Sequence, residues 1–430
     1  MSKTIIIIGA GLAGLSAALQ AAENGCNVKL VSSLPSERAQ SVMAEGGINA
    51  ALNTKDENDS PEEHFTDTIK AACGLADPNA VWGMTQAAPE LVHWLLKLGV
   101  KFNMSGYDDV DLRNFGGQKK KRTAFAQSDT GKQIMTAMID AVRRKEASGM
   151  VERFSHHSFL TLRLCGNICC GCVIRDEYSQ EIVELPGNAV IVASGGMHGL
   201  FGNTTGSLSN TGEVTAELFR LGVPLVNGEM IQYHPTTVEC GGKRMLISEA
   251  ARGEGGRLFA LRNNQPWYFM EEKYPELGNL MPRDITAREI WKVSHESEVF
   301  LDMTEISKEV ISNKLSGLAD DCMTYLHKDI RKEPVPVLPG IHYFMGGILV
   351  DEQHRTSIQN LYAAGECCAQ YHGANRLGGN SLLGALYGGR VAAKSACEQA
   401  DGVVLSCATQ IDIPPASQIS EIKQLNKVMQ

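Results

Sequence analysis

Thr4 to Ile8 is an unbroken β-branched and aliphatic run, the pattern of a strand covered on both faces. Gly9-Ala10-Gly11-Leu12-Ala13-Gly14 follows, then an Ala/Leu-rich stretch of helical period to about Asn24. Gly25 punctuates it, and Asn27 to Ser32 predicts a second strand. Strand, glycine turn, helix and strand in that order are the setting in which GxGxxG reads as a dinucleotide-binding turn rather than an unliganded βαβ unit. Gly9 permits the tight turn, Gly11 lets backbone approach a pyrophosphate, and Gly14 allows close helix–strand packing. Ser32 and Ser33 stand where an acidic ribose contact is expected, and a serine hydroxyl can still reach a ribose.

Arg38 to Ala51 is polar and carries Gly46-Gly47, a place for backbone to lie against a flat ligand. Residues 56–67 read as a charged, solvated segment and 78–99 as a helix. The basic run Lys119 to Arg122 reads as a solvated loop. Phe154 to Glu184 is β-rich, and Ala189 to Gly196 is a further buried strand ending in glycines. From about Glu229 polar groups sit among turn residues: His234 before a proline, then Ser248, Glu249, Arg252, then Arg283 after Pro282. Alone, His234 reads as a core histidine and Arg283 as a helix-start arginine. Strand-and-glycine texture returns near residue 345, so the middle of the chain is expected to be an inserted domain. Tyr371 to Gly389 then places Arg376 before a Gly-Gly-Asn-Ser helix start. A helix N-terminus exposes free N–H groups to an anion, and an arginine fork suits a carboxylate.

Composition narrows the class. At 430 residues, 43% hydrophobic and 21% charged, the chain is an ordinary globular protein of two or three domains. A net charge of −9 argues against nucleic acid as the partner. Cys165, Cys169, Cys170 and Cys172 flank Gly166-Asn167 and are expected as thiols on a hairpin in a reducing cytoplasm, not as cluster ligands. Lys3 before an apolar run could pass for a signal peptide, but the spaced glycines argue against one. No later segment offers 18 uninterrupted apolar residues, so no transmembrane segment is expected.

As a set, GAGLAG (9–14), AEGGI (44–48), FGGQKKKRTAF (115–125), QYHPT (232–236), SEAARGEGG (248–256), PRD (282–284), HYFMGG (342–347), AAGE (363–366) and HGANRLGGNSL (372–382) resemble a known family. It is the flavoprotein subunit of succinate dehydrogenase/fumarate reductase, with L-aspartate oxidase as a close relative. The resemblance implies an α/β fold: a Rossmann-like FAD-binding domain (1–228 and 345–400) with an inserted α+β capping domain (229–344). Residues 401–430 would begin a helical C-terminal domain, most of which this chain lacks.

The resemblance also implies roles. Arg376 and His342 clamp one carboxylate of a four-carbon dicarboxylate, His234 and Ser248 hold the other, and Phe125 packs on the substrate. Arg283 is the proton donor, with Glu249 and Arg252 as its relay. FAD contacts fall to Gly9, Ala10, Gly11, Leu12, Ala13, Gly14, Ser32, Ser33, Ser41, Glu45, Gly46, Gly47, Glu213, Tyr343, Glu366, Ser381 and Leu382. An arginine, ordinarily above about 12 in pKa, can act as acid because the carbanion formed after hydride addition is far more basic. Gln40 stands at the usual flavinylation position, so FAD is expected to be non-covalent and fumarate reduction favoured. Glu213 replaces the aspartate of a TGD motif, and Ser248 a threonine. L-aspartate oxidase and a non-catalytic FAD-binding electron-transfer module remain alternatives. An iron–sulfur subunit is the implied partner, with a cytoplasmic location, membrane-associated through other subunits.

Overall fold

The structure, a computed structural model, describes residues 2–106 and 109–400. The expected start of a helical domain at 401–430 lies outside the described residues. The organising element is a five-stranded, all-parallel sheet in the order Leu361–Ala363, Ala189–Val192, β1 (Thr4–Ile8), β2 (Asn27–Ser32), Val151–Ser155. In register, Ile7 faces Leu30 on one side and Ile191 on the other. The apolar run at 5–8 reflects this: Ile5, Ile6 and Ile7 are fully buried because the sheet is covered on both faces.

One face carries α1 (Leu12–Glu23) and the long helix Asn380–Gln399. These helices approach closely because Gly389 faces Ala13; a Cβ there would lie 2.3 Å from the Ala13 carbonyl oxygen. The Ser16 hydroxyl also donates to the Leu386 carbonyl at 2.6 Å. The other face carries the antiparallel sheet His157–Cys165, Ile168–Asp176, Ile182–Pro186, whose first turn is Gly166-Asn167 as expected. Cys169, Cys170 and Cys172 are buried free thiols in it, whereas Cys165 is disulfide-bonded rather than the expected thiol. Burial pushes the Cys169 thiol up to about 12. Among the described residues no group of three or more metal-ligating side chains occurs, and no helix is long and apolar enough to cross a membrane.

Two further sheets belong to the middle of the chain. Lys243–Leu246, Ile231–Cys240 and Leu338–Phe344 form one, and Gln265–Trp267, Arg257–Arg262, Val299–Asp302 and Val335–Pro336 the other. A hydrophobic core of their own gathers Ile247, Leu258, Ile290, Leu301, Leu318 and Val335.

Two further sequence expectations need correction. Residues 56–67 and the 119–122 run are not simply solvated. Arg122 is fully buried and pairs with Asp59 at 2.9 Å and Asp67 at 3.0 Å. The segments supply each other's counter-charge, which lets both leave water.

Candidate functional site

One continuous cavity runs from the carboxyl edge of the parallel sheet to the sheet that bears His234 and His342. Its first half is built from β1, α1 and β2. Gly9 makes the turn at φ +111°, and a Cβ there would lie 2.2 Å from the Ala193 oxygen. Gly14 faces the Gly9 oxygen so closely that a Cβ would sit at 1.8 Å. No side chain caps α1 from its N-cap, Gly11, so its first turn presents backbone N–H groups to the cavity wall; Leu12 N–H donates to Ser41 Oγ at 3.3 Å. Ser32, at the end of β2, lines the same space, and its buried hydroxyl has no partner among the described residues. A glycine-bared helix start beside an unsatisfied hydroxyl fits the pyrophosphate and ribose of FAD.

The second half is cationic and buried. His234 lies on Ile231–Cys240 and His342 on Leu338–Phe344, which pair antiparallel. Their rings meet edge to face, 5.0 Å between centroids. Arg283 is the first residue of the helix Arg283–Ser294, placed by Pro282. Its Nε donates to Glu249 Oε2 at 2.8 Å and its Nη1 to Gln232 Oε1 at 3.1 Å. Glu249 Oε1 accepts from Gly116 N–H at 3.1 Å and from Arg252 Nη2 at 3.0 Å. Arg252 Nη1 donates onward to the Asn279 carbonyl at 2.6 Å. Arg252 also borders an outer hollow with Arg257, Glu271 and Asn279, so the chain Arg283–Glu249–Arg252 runs from the cavity toward the surface.

Arg376 completes the cluster from the loop before the Asn380 helix. Its guanidinium lies 4.4 Å from the Tyr343 ring centroid and has no carboxylate partner among the described residues. Burial, then the Arg283 charge, lowers its pKa to about 9. Burial and the neighbouring arginines hold His234 and His342 well below the usual histidine range, so both are neutral. For Glu249 burial opposes ionisation, but Arg283 and Arg252 together outweigh it and hold its pKa below the ordinary value. Glu249 is already taken up by Arg283 and Arg252, so Arg376, with no carboxylate partner among the described residues, calls for an anionic ligand at this cavity end.

Most expected residues line this cavity: Gly9 to Ala13, Ser32, Ser33, Gln40, Ser41, Glu45, Gly46, Gly47, Glu213, Tyr343, Glu366, Ser381 and Leu382 toward the glycine end, and His234, Ser248, Glu249, Arg283, His342 and Arg376 toward the other. Gly14 and Arg252 stand one layer behind the wall. Phe125 does not belong to it: it is fully buried under the Arg113 guanidinium, 3.7 Å from its ring centroid. Phe115, ten residues earlier, lies on the wall instead. Thr123–Ala124 pairs with both Ile48–Asn49 and Leu112–Arg113, and this hairpin turns Phe125 into the protein. Phe115 packs against Gly46, where a Cβ would lie 2.7 Å from its ring. The Gly116-Gly117 pair after it was the available signal. Asn49 was also missed. Fully buried, it donates to the Gly378 carbonyl at 2.7 Å and accepts from Thr123 Oγ1 at 2.6 Å, fixing the turn that carries Arg376 into the helix.

A family model described as FAD binding domain matches residues 4–382. The chain is similar to the succinate dehydrogenase flavoprotein subunit of Bacillus subtilis, 43% identical over 410 residues, covering 93% of this chain and 70% of that protein. It is similar to L-aspartate oxidase of Streptomyces coelicolor at 32% identity over 423 residues, 94% of this chain and 70% of that one. Among solved structures, E. coli quinol fumarate reductase superposes with a TM-score of 0.87 at 29% identity, covering 99% of this chain and 74% of that chain.

Proposed function

The chain belongs to the succinate dehydrogenase/fumarate reductase family of flavoprotein subunits, FAD-dependent oxidoreductases acting on CH–CH groups, and from that membership we propose that it interconverts fumarate and succinate, with fumarate reduction favoured. The observation that carries this is the unpaired Arg376 facing the Arg283–Glu249–Arg252 chain across a buried cavity.

Gly9, Gly11 and the helix start behind them would hold FAD, without a covalent bond, and the bound flavin would supply the hydride. Arg376 and neutral His342 donate to one substrate carboxylate, and His234 and Ser248 to the other. Four fixed contacts at two ends orient the double bond and exclude water from it. Negative charge that builds on the second alkene carbon and its carboxylate is stabilised by the guanidiniums already in place. Arg283 delivers a proton to that carbon. Glu249, a carboxylate at rest, then relays a proton from Arg252, 3.0 Å from its Oε1, to Arg283, whose Nε is 2.8 Å from its Oε2, and Arg252 regains its proton from solvent through the outer hollow. One hydride and one proton thus add across the double bond.

In this account residues 229–344 cap the FAD-binding segments 1–228 and 345–400. Gln40 lines the cavity, and an amide has no nucleophilic nitrogen comparable to a histidine's. Acid precipitation of the holoprotein is therefore expected to release all the flavin; flavin retained in the washed pellet contradicts this. The B. subtilis relative is named as a subunit, which supports an iron–sulfur subunit as electron partner and a cytoplasmic, membrane-associated setting.

The deciding experiment is anaerobic, fumarate-dependent oxidation of a reduced dye by FAD-loaded protein. Turnover is expected in the wild type and lost by at least about 10³-fold in Arg283→Ala with FAD still bound. Bound FAD without fumarate turnover overturns the proposal. Peroxide formation from L-aspartate and oxygen would put the oxidase activity first.

A further inference from the structure

We propose that Thr205 is a positioning residue for the dicarboxylate site: its hydroxyl donates to His342 Nδ1 and thereby fixes the imidazole proton on Nε2, the nitrogen offered to the substrate. This rests on the assignment of His342 as a carboxylate donor made above.

Thr205 is buried and does not line the cavity, so it acts through His342. Its Oγ1 lies 2.7 Å from His342 Nδ1. The hydroxyl has one proton and two candidate acceptors, Nδ1 and the Ile341 carbonyl. That carbonyl lies 3.4 Å away, a poor distance for an O–H donor, and already accepts from Thr205 N–H at 2.9 Å, whereas Nδ1 is at 2.7 Å. The proton therefore goes to Nδ1.

A neutral imidazole carries a single N–H, so Nδ1 as acceptor leaves the proton on Nε2. The opposite tautomer would turn an Nε2 lone pair toward a carboxylate, which is repulsive. His342 is neutral because burial and the Arg283 and Arg376 charges disfavour its cation, so the tautomer decides whether it donates at all. The surrounding backbone keeps Thr205 in register. Residue 204 bridges to Ile341, and Ile341 N–H donates to the Asn203 carbonyl at 3.0 Å.

The test compares FAD-loaded wild type with Thr205→Val and Thr205→Ser. Valine keeps the shape and removes the hydroxyl, and serine keeps the hydroxyl. ¹⁵N-histidine NMR, with His342 assigned by its loss in His342→Gln, reads the tautomer directly. Wild type and Thr205→Ser are expected to show an unprotonated Nδ1 and a protonated Nε2; Thr205→Val is expected to lose that single tautomer. In dye-coupled turnover, Thr205→Val should raise KM for fumarate roughly tenfold with kcat changed far less, as for loss of a binding hydrogen bond. FAD content should not change. A proton on Nδ1 in the wild type, or a Thr205→Val enzyme with wild-type KM and tautomer, overturns the proposal. Absence of fumarate turnover in the wild type would sink the assigned activity, while the NMR comparison still decides the tautomer.

Discussion

Arg376 shows how much one side chain can be asked to do. Its guanidinium is buried over Tyr343, and its Nε has no partner among the described residues. A planar fork can grip a carboxylate with two parallel hydrogen bonds, whereas a lysine offers a point charge. Arg376→Lys is therefore expected to raise KM for fumarate by about 10²-fold, measured in the dye-coupled assay, while FAD binding persists. Phe115 and Phe125 give a paired prediction. Phe115→Leu should raise KM, because Phe115 lies on the cavity wall. Phe125→Leu should lower the melting temperature and leave KM unchanged, because Phe125 packs under Arg113. The residue types at these positions were legible in the sequence. Which phenylalanine faces the cavity was not, since the two are ten residues apart in one motif and only the hairpin around Thr123 separates them.

At the scale of elements, the glycines of the first turn divide by what they touch. A Cβ at Gly11 would meet only Ser41 Oγ at 3.6 Å, an ordinary contact. A Cβ at Gly14 would collide with the Gly9 carbonyl. Gly11→Ala is expected to fold with a near-normal melting temperature yet bind FAD weakly, read by flavin fluorescence. Gly14→Val should lose stability itself, by about 2 kcal/mol or more, in thermal denaturation. This turn could be read in advance because strand, turn, helix and strand are contiguous and each glycine has a local cause. The turn at 378–380 could not. It is held by Asn49, far away in the chain, whose amide bonds the Gly378 carbonyl and Asn380 Oδ1. Nothing near Asn49 in sequence announces that partner.

The whole molecule carries a set of buried neutral histidines. Burial lowers His64 to about 3, His354 to about 4 and His372 to about 3, from an ordinary value near 6.5. An unfolded histidine takes up a proton below pH 6.5, whereas these folded ones do not. Their stabilisation is complete above about pH 6.5 and is lost as pH falls toward 3–4, each by up to about 1.4 kcal/mol per pH unit. Glu45 has the opposite sign. Burial, then Asp321 and Asp129, raises it to about 8, so it costs stability as pH rises from about 4.5 to 8. The melting temperature is expected to fall from pH 7 to pH 5, because the histidines outnumber Glu45. Glu45→Gln should be more stable than wild type at pH 8 and show a steeper acid loss. A flat profile between pH 5 and 7 contradicts this account. By itself the sequence determined the nucleotide turn, because strand, glycine turn, helix and strand are contiguous, while the mixed α/β class and the residues of the cationic site were legible only through the family resemblance of the motifs taken together. Tertiary structure alone decided that Arg122 is buried with Asp59 and Asp67, that Phe115 and not Phe125 reaches the cavity, and that Thr205 stands behind His342. In each case the partners are distant in sequence, and burial with a specific neighbour, rather than residue type, sets the chemistry.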